Sequence, residues 1–276
     1  VRRWLPRHDD LYPIPLRTFF YWCPMRNFKG ILAYDGSKYV GWQLQVEQPT
    51  IQGKLEQALL KITGEEIRVL SSGRTDSGVH AHGQVISFRT QCDLAENILC
   101  RAINAQTPFD MFLRNLAVVA EDFHPIRDAT SKHYRYLIQP GPVQNPLVLK
   151  FAWLFPTALD FPAMQQAAQH FVGKHDFASF EATGSDRKTS VRHVTELTLS
   201  SSAQHQATTI QVDIRADGFL YNMVRNIVGS LVEVGAGKHA PNWVVEVLAA
   251  LDRRQAGMTA PAQGLYLMHV EYADNE

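Results

Sequence analysis

Gly73-Arg74-Thr75-Asp76-Ser77-Gly78-Val79-His80-Ala81 is the stretch from which the rest of the chain is read. It packs a carboxylate, an arginine, a threonine and two glycines into one short polar segment between two strand-like runs. Glycine relieves steric limits on the backbone, so a tight loop can form there and a ligand can come close. An isolated Asp-Ser-Gly reads first as a turn, because Asp and Gly are turn residues for local reasons. Two neighbours change the weighing. Arg74 stands two residues before the acid, and a basic, tyrosine-rich segment follows later in the chain.

Working outward, Phe28 to Tyr34 alternates as a strand and Asp35-Gly36-Ser37 ends it as a turn. Ile51, Leu55, Ala58, Leu59 and Ile62 fall on one helical face between Thr50 and Thr63, with Gly64 as the stop. Ile67 to Leu70 reads as a short strand, and Gln84 to Arg89 alternates again. Asp93 and Glu96 form a capping pair for a helix carrying Leu94, Ile98, Leu99 and Ala102. Met111 to Val119 closes the unit as a strand. The order is βαββαβ.

The second half repeats it: a strand at His133 to Ile138, a helix at Phe161 to Val172 with Asp160 before it and Pro162 in its first turn, and strands at Val191 to Leu199 and Thr209 to Ile214. A strongly apolar helix, Tyr221 to Val234, follows and is capped by Gly235. An inserted helix, Asn242 to Leu251, precedes a last strand, Leu265 to Tyr272. Two such units predict an α+β fold of two fused ferredoxin-like modules with antiparallel sheets and a cleft between or beside them. The modules are expected over 25–125 and 126–276, with the junction between about Ala120 and Ser131. Residues 1–24 differ in composition, are broken by four prolines and lack a clean signal-peptide core, so they read as a leader or remnant outside the fold.

Twenty-seven basic and 27 acidic residues cancel, so any polyanion site must come from local clustering. Arg101, Arg114, Arg127, Lys132, His133 and Arg135 cluster in one interval, and Arg187, Lys188 and Arg192 in another. Cys23, Cys92 and Cys100 show no Cys-x-x-Cys pair and no even framework, which fits a reduced, cytoplasmic setting. No apolar run approaches the roughly 20 residues that span a bilayer.

Three constellations could carry chemistry. A working Asp76 must stay ionised although shielded, which needs a cation or several donors nearby. Arg225 is set among Met223, Val224, Ile227, Val228, Leu231 and Val232. An arginine in that setting has either a buried acidic partner or a tip that reaches water. In Lys132-His133-Tyr134-Arg135-Tyr136, Tyr134 and Tyr136 share one strand face, and His133 and Arg135 the other. Such a strand is either a base-stacking platform with cations for phosphates or a half-buried strand with core tyrosines. His80 and His82 form an H-x-H pair without a third ligand at metal spacing and read as loop histidines. Val234-Gly235-Ala236-Gly237-Lys238 lies at a helix C-terminus, where the dipole has the wrong sign for phosphate.

Taken together, the chain resembles the tRNA pseudouridine synthases that modify the anticodon stem-loop. The resemblance runs from Lys29 to Tyr272 and is carried by Tyr34-Asp35-Gly36-Ser37-Lys38-Tyr39-Val40-Gly41-Trp42-Gln43, the Asp76 segment, Asp122-Phe123-His124, Tyr134-Arg135-Tyr136, His175-Asp176-Phe177, Met223 to Gly229 and Gly264-Leu265-Tyr266-Leu267. Ser77 stands where the family usually has Ala, and Tyr221-Asn222 where a His-rich dipeptide is common. The resemblance implies isomerisation of uridine to pseudouridine at tRNA positions 38–40, no cofactor, no metal and a homodimer. It implies Asp76 as the catalytic aspartate and Arg225 as its salt-bridge partner. By the same likeness Tyr134 stacks on the target uracil, and Arg74 fills the space that the flipped nucleotide leaves. Two other classes compete. An aspartic peptidase would need a second Asp-Ser-Gly, and the chain has one. A non-catalytic RNA-binding module would keep the tyrosines and basic residues without needing Asp76 or Arg225.

Overall fold

The computed structural model describes residues 24–142, 145–184, 189–204 and 207–273. The segment read as a leader, all but its last residue, lies outside the described residues, as do Cys23, Arg187 and Lys188. The fold is mixed α/β. Strands β1 (Arg26–Tyr34), β2 (Leu70–Ser71), β3 (His80–Thr90) and β4 (Met111–Val119) alternate with helices α1 (Ile51–Thr63) and α2 (Glu96–Gln106). Then come β5 (Ala129–Pro140), β6 (Trp153–Phe155), α3 (Phe161–Gln169), β7 (Gly173–Asp176), β8 (Val191–Gln204), β9 (Ala207–Ala216), α4 (Met223–Gly235), α5 (Trp243–Ala250) and β10 (Leu265–Tyr272).

Local rules account for most boundaries. The Thr50 hydroxyl caps α1 by accepting from Gly53 N, and Gly64 closes it in the left-handed region at φ 74°. Asp160 caps α3 by accepting from Ala163 N at 3.0 Å. The Asp93–Glu96 capping pair does not form. Ala95 is the N-cap of α2 and makes no side-chain cap, while Glu96 accepts from Val118 N on β4 at 3.3 Å. Asn104 does more for the same strand, donating to Leu113 O and accepting from Leu113 N, both at 2.7 Å. Side chains of α2 thus satisfy part of an edge that would otherwise invite pairing. Gly235 is not a left-handed cap either. It ends α4, where a Cβ would press on Met164 of α3 at 2.7 Å, and Gly237 takes the positive φ.

The expected pair of sheets is one continuous sheet in the order β4-β1-β3-β10-β5-β9-β8-β7, with β2 on β3 and β6 on β5. One edge of β3 pairs with β1 along its length. The other edge is shared: Ile86 and Ser87 take β2 antiparallel, and His80 and Ala81 take β10 parallel. Being central, β3 is buried on nearly all of its length, so its polar start, His80 to Gly83, carries no alternation to read. The chain between β2 and β3 therefore emerges in the fork between β2 and β10, and the Asp76 segment sits there. His80 locks the fork. Its ring stacks on Tyr266 at 4.8 Å, its Nδ1 accepts from Gly36 N and its Nε2 bonds Lys150 O. Burial holds its pKa below the ordinary value, despite nearby Asp35, which suits this neutral tautomer. The two histidines read as loop residues thus belong to a strand.

Core residues form one cluster spanning both halves of the sheet, with α4 buried on most of its surface. Gly229 lets the strap Arg253 to Ala260 cross α4, since a Cβ there would run into the carbonyl oxygen of Met258. In urea melts, Gly229→Ala is expected to lower stability by about 1–3 kcal/mol, outweighing the gain in helix propensity.

Candidate active site

The Asp76 segment is pinned on both sides. Ser72 N donates to Val85 O at 2.8 Å, the Ser72 hydroxyl to Gln84 Oε1 at 2.6 Å and Gln84 Nε2 to Gly73 O at 2.7 Å. Gln84 is fully buried, so both ends of its amide are spent on this loop. Thr75 exchanges a hydrogen bond with the Tyr34 hydroxyl at 2.8 Å, and Thr75 O accepts from Trp42 N at 3.0 Å. Close backbone approach makes this possible. A Cβ on Gly41 would meet Thr75 O at 2.7 Å, and one on Gly36 would overlap the carbonyl of Val79. The stretch Tyr34 to Trp42, read from sequence as a strand end and turn, is thus a clamp on the loop. Spacing and turn chemistry gave no signal for that role. Arg74 and Asp76 extend from this fixed backbone, Arg74 exposed and Asp76 partly shielded.

Arg225 comes from the first turn of α4, far off in sequence. Its Nη1 lies 3.3 Å from Asp76 Oδ2, with side-chain exposures of 17% and 30%. The guanidinium has further fixed partners. Nε donates to Ala260 O at 2.7 Å and Nη1 to Asn222 Oδ1 at 2.9 Å. Of the two readings the sequence left open, Arg225 has the acidic partner. Burial pushes the Asp76 carboxyl above its ordinary pKa, and the charge and hydrogen bond of Arg225 pull it back in part.

Asp76, Arg74, Tyr134 and Arg225 line one cleft of about 590 Å³. Lys132, Phe219, Tyr221, Asn222 and Leu265 complete much of its wall. Tyr134 is nearly buried, with Phe219 edge-on to it at 5.0 Å. Lys132 Nζ donates to Ser72 O at 2.6 Å, tying β5 to the loop. The cleft therefore joins a shielded carboxylate, a countercharge, an aromatic wall and an exposed cation.

Of the two readings of the tyrosine-rich strand, the half-buried one fits Tyr136. Tyr136 does not extend a platform. It is fully buried, donates to Pro261 O at 2.6 Å and packs edge-on to Trp153. His133 and Arg135, on the other face, are not presented to phosphates. Both bind Asp213, at 2.6 and 3.0 Å, and Gln211 donates to its other oxygen at 2.5 Å. Nor do the basic residues of that interval form one face. Arg101 and Arg114 line a shallow depression between α2 and β4, Arg127 pairs with Asp128, and Lys132 alone of the six lines the cleft. Among the described residues, no group of three or more His, Cys, Asp or Glu is placed to hold a metal ion. No described helix is long and apolar enough to cross a membrane.

Burial pushes the Asp213 carboxyl pKa up, but the bonds from His133, Arg135 and Gln211 outweigh it and bring the pKa to about 2. A carboxyl lowered in the fold stabilises it above the ordinary carboxylate range and loses that effect as pH falls. Asp213→Ala is expected to cost on the order of 2 kcal/mol at neutral pH. In denaturant melts taken across acid pH, the deficit should shrink as pH drops toward about 2.

Comparison with known proteins bears on the whole arrangement. The family model described as tRNA pseudouridine synthase matches residues 31–125 and 167–273. The chain is 44% identical over 248 residues to a tRNA pseudouridine synthase A of Pelobacter propionicus, covering 90% of this chain and 100% of that one. Proteins of the same description from Syntrophotalea carbinolica and Shewanella woodyi are 44% and 43% identical. They cover 89% and 91% of this chain and 96% and 94% of their own length.

Proposed function

Because the chain belongs to the tRNA pseudouridine synthase family, we propose that Asp76 carries the reaction and that Arg225 keeps it charged. The activity is isomerisation of uridine to pseudouridine in tRNA. The anticodon stem-loop is its site of action in this reading, and the working form is a cytoplasmic homodimer. The single observation that carries the reading is the convergence of Asp76, Tyr134 and Arg225 on one cleft.

The two halves are read as ferredoxin-like modules, 25–125 and 126–276. Strand order supports this: β4-β1-β3 with β2 on β3, and β10-β5-β9-β8, all antiparallel within each set. The modules then join through the parallel β3–β10 contact, and the cleft lies at that joint.

In the reaction the N1–C1′ bond breaks, the uracil turns while held, C5 bonds to C1′, the C5 proton leaves and the freed N1 takes up a proton. A carboxylate can attack C1′, add to C6 or take a proton at C2′. Each route needs an ionised acid beside the sugar and the base, with an opposing charge that does not wander. A stem base must first leave its stack, at a cost of a few kcal/mol. In this reading Arg74 enters the vacated space and Tyr134, braced by Phe219, covers the uracil. A released uracil would otherwise diffuse, so a closed aromatic wall is a mechanistic need.

Asp76→Asn is expected to keep tRNA binding and abolish tritium release from tRNA labelled at uridine C5. Release at the parent rate would refute the assignment, and no release from the parent with tRNA still bound would favour a binding module. Arg225→Met strands a carboxylate in a shielded site, so the variant should lose activity or stability, read by turnover and melting together. The parent's turnover should fall as acid protonates Asp76, with an apparent pKa above the ordinary carboxylate value.

A further inference from the structure

Asn222 stands at the N-cap of α4, where an asparagine side chain ordinarily accepts from a backbone amide of the first turn. Here it makes no such cap. Its backbone is left-handed, φ 59° and ψ 7°, a conformation rare for non-glycine residues although Asn tolerates it. That geometry turns the side chain into the cleft, and Oδ1 accepts from Arg225 Nη1 at 2.9 Å. The same Nη1 reaches Asp76 Oδ2 at 3.3 Å, the longer of the two contacts. Ala260 O holds Nε from the other side at 2.7 Å.

We propose that Asn222 is a positioning residue that fixes the Arg225 guanidinium independently of Asp76. Two neutral oxygens, one from a side chain and one from the backbone strap, hold the arginine. The carboxylate is left more loosely engaged and available to the ribose. If the carboxylate shifts toward the sugar or its charge is consumed, the guanidinium stays in place. Asn222 also brings no charge of its own. The groups facing Asp76 across the cleft are Arg225 from α4, Lys132 and Tyr134 from β5, Arg74 from its own loop and Tyr221 before α4. A neutral acceptor leaves the net field of that set unchanged. An anionic one would divert Arg225 and repel the reacting carboxylate.

This inference rests on the assignment of Asp76 made above, and its test separates the two. Asn222→Gly suits the left-handed backbone and removes Oδ1. Asn222→Asp keeps the shape and adds a charge. Tritium release is measured against pH and tRNA concentration for both, and the Asp76 carboxyl is titrated by carbon-13 NMR in the tRNA-free protein. The expected results are a kcat lower by about tenfold in the glycine variant with KM little changed. In the aspartate variant, the acidic limb and the Asp76 titration should both move up by about one pH unit. Should Asn222→Asp fail to fold, the kcat and KM of Asn222→Gly still decide. Folded variants with the parent's kcat, acidic limb and Asp76 titration would overturn the role of Asn222 while Asp76→Asn stays dead. Activity retained by Asp76→Asn would instead remove the premise.

Discussion

Two residue pairs of parallel strand, Tyr266 with His80 and Leu267 with Ala81, join the two halves of the sheet, and the cleft depends on them. Parallel pairing over so short a span is weak by itself. It is reinforced by the His80–Tyr266 stack, by the bond between His80 Nε2 and Lys150 O, and by Gly83, whose missing side chain admits the carbonyl of Met268. Because β2 occupies the rest of that edge, the chain between them has to leave the sheet where β10 begins. The position of the carboxylate thus follows from strand competition for one edge of β3. The arginine facing it arrives on α4, which the strap leading from α5 to β10 crosses at Gly229.

Electrostatics at this joint runs against stability. The Asp76 carboxyl is raised by burial, so its charge is more costly in the folded protein than in water, and Arg225 offsets only part of that. A structural ion pair would be shorter and more shielded from competitors. The contact here is 3.3 Å, with the arginine held elsewhere, and in the proposed reading that keeps the carboxylate ready rather than neutralised. Asp213 shows the opposite case in the same sheet. Three donors saturate it and its pKa falls to about 2.

Much of the fold was legible because its signals are local. Thr50, Gly64 and Asp160 cap by rules confined to one turn, and β4 and β10 begin and end where alternation does. The start of β3 was not legible, because a strand buried on both faces need not alternate, and His80 to Gly83 is polar for reasons that lie in other elements. The short strands β6 and β7 carry too few residues for a period. At the cleft, the apolar surroundings of Arg225 left an acidic partner and a tip reaching water equally open, and the pairing with Asp76 rested on the family resemblance. The clamp formed by Gly36, Gly41 and Tyr34 and the turned side chain of Asn222 depend on backbone proximity and left-handed geometry. Composition cannot express either. The clustered basic residues do not share one face, because Arg101, Arg114 and Arg127 lie on α2, on β4 and in the loop before β5, and neighbours in sequence along β5 alternate across the sheet.

The far side of the sheet carries the last consequence. Arg135 and His133 bind Asp213, and Arg215 binds Glu196 and Glu271, so the arginines on the face opposite Tyr134 are paired with carboxylates. A polyanion drifting past that surface meets dipoles that fade within a few ångströms and feels little reason to linger. A molecule with no net charge can in this way be strongly sided. On the other face, at the cleft, Arg74 stands exposed.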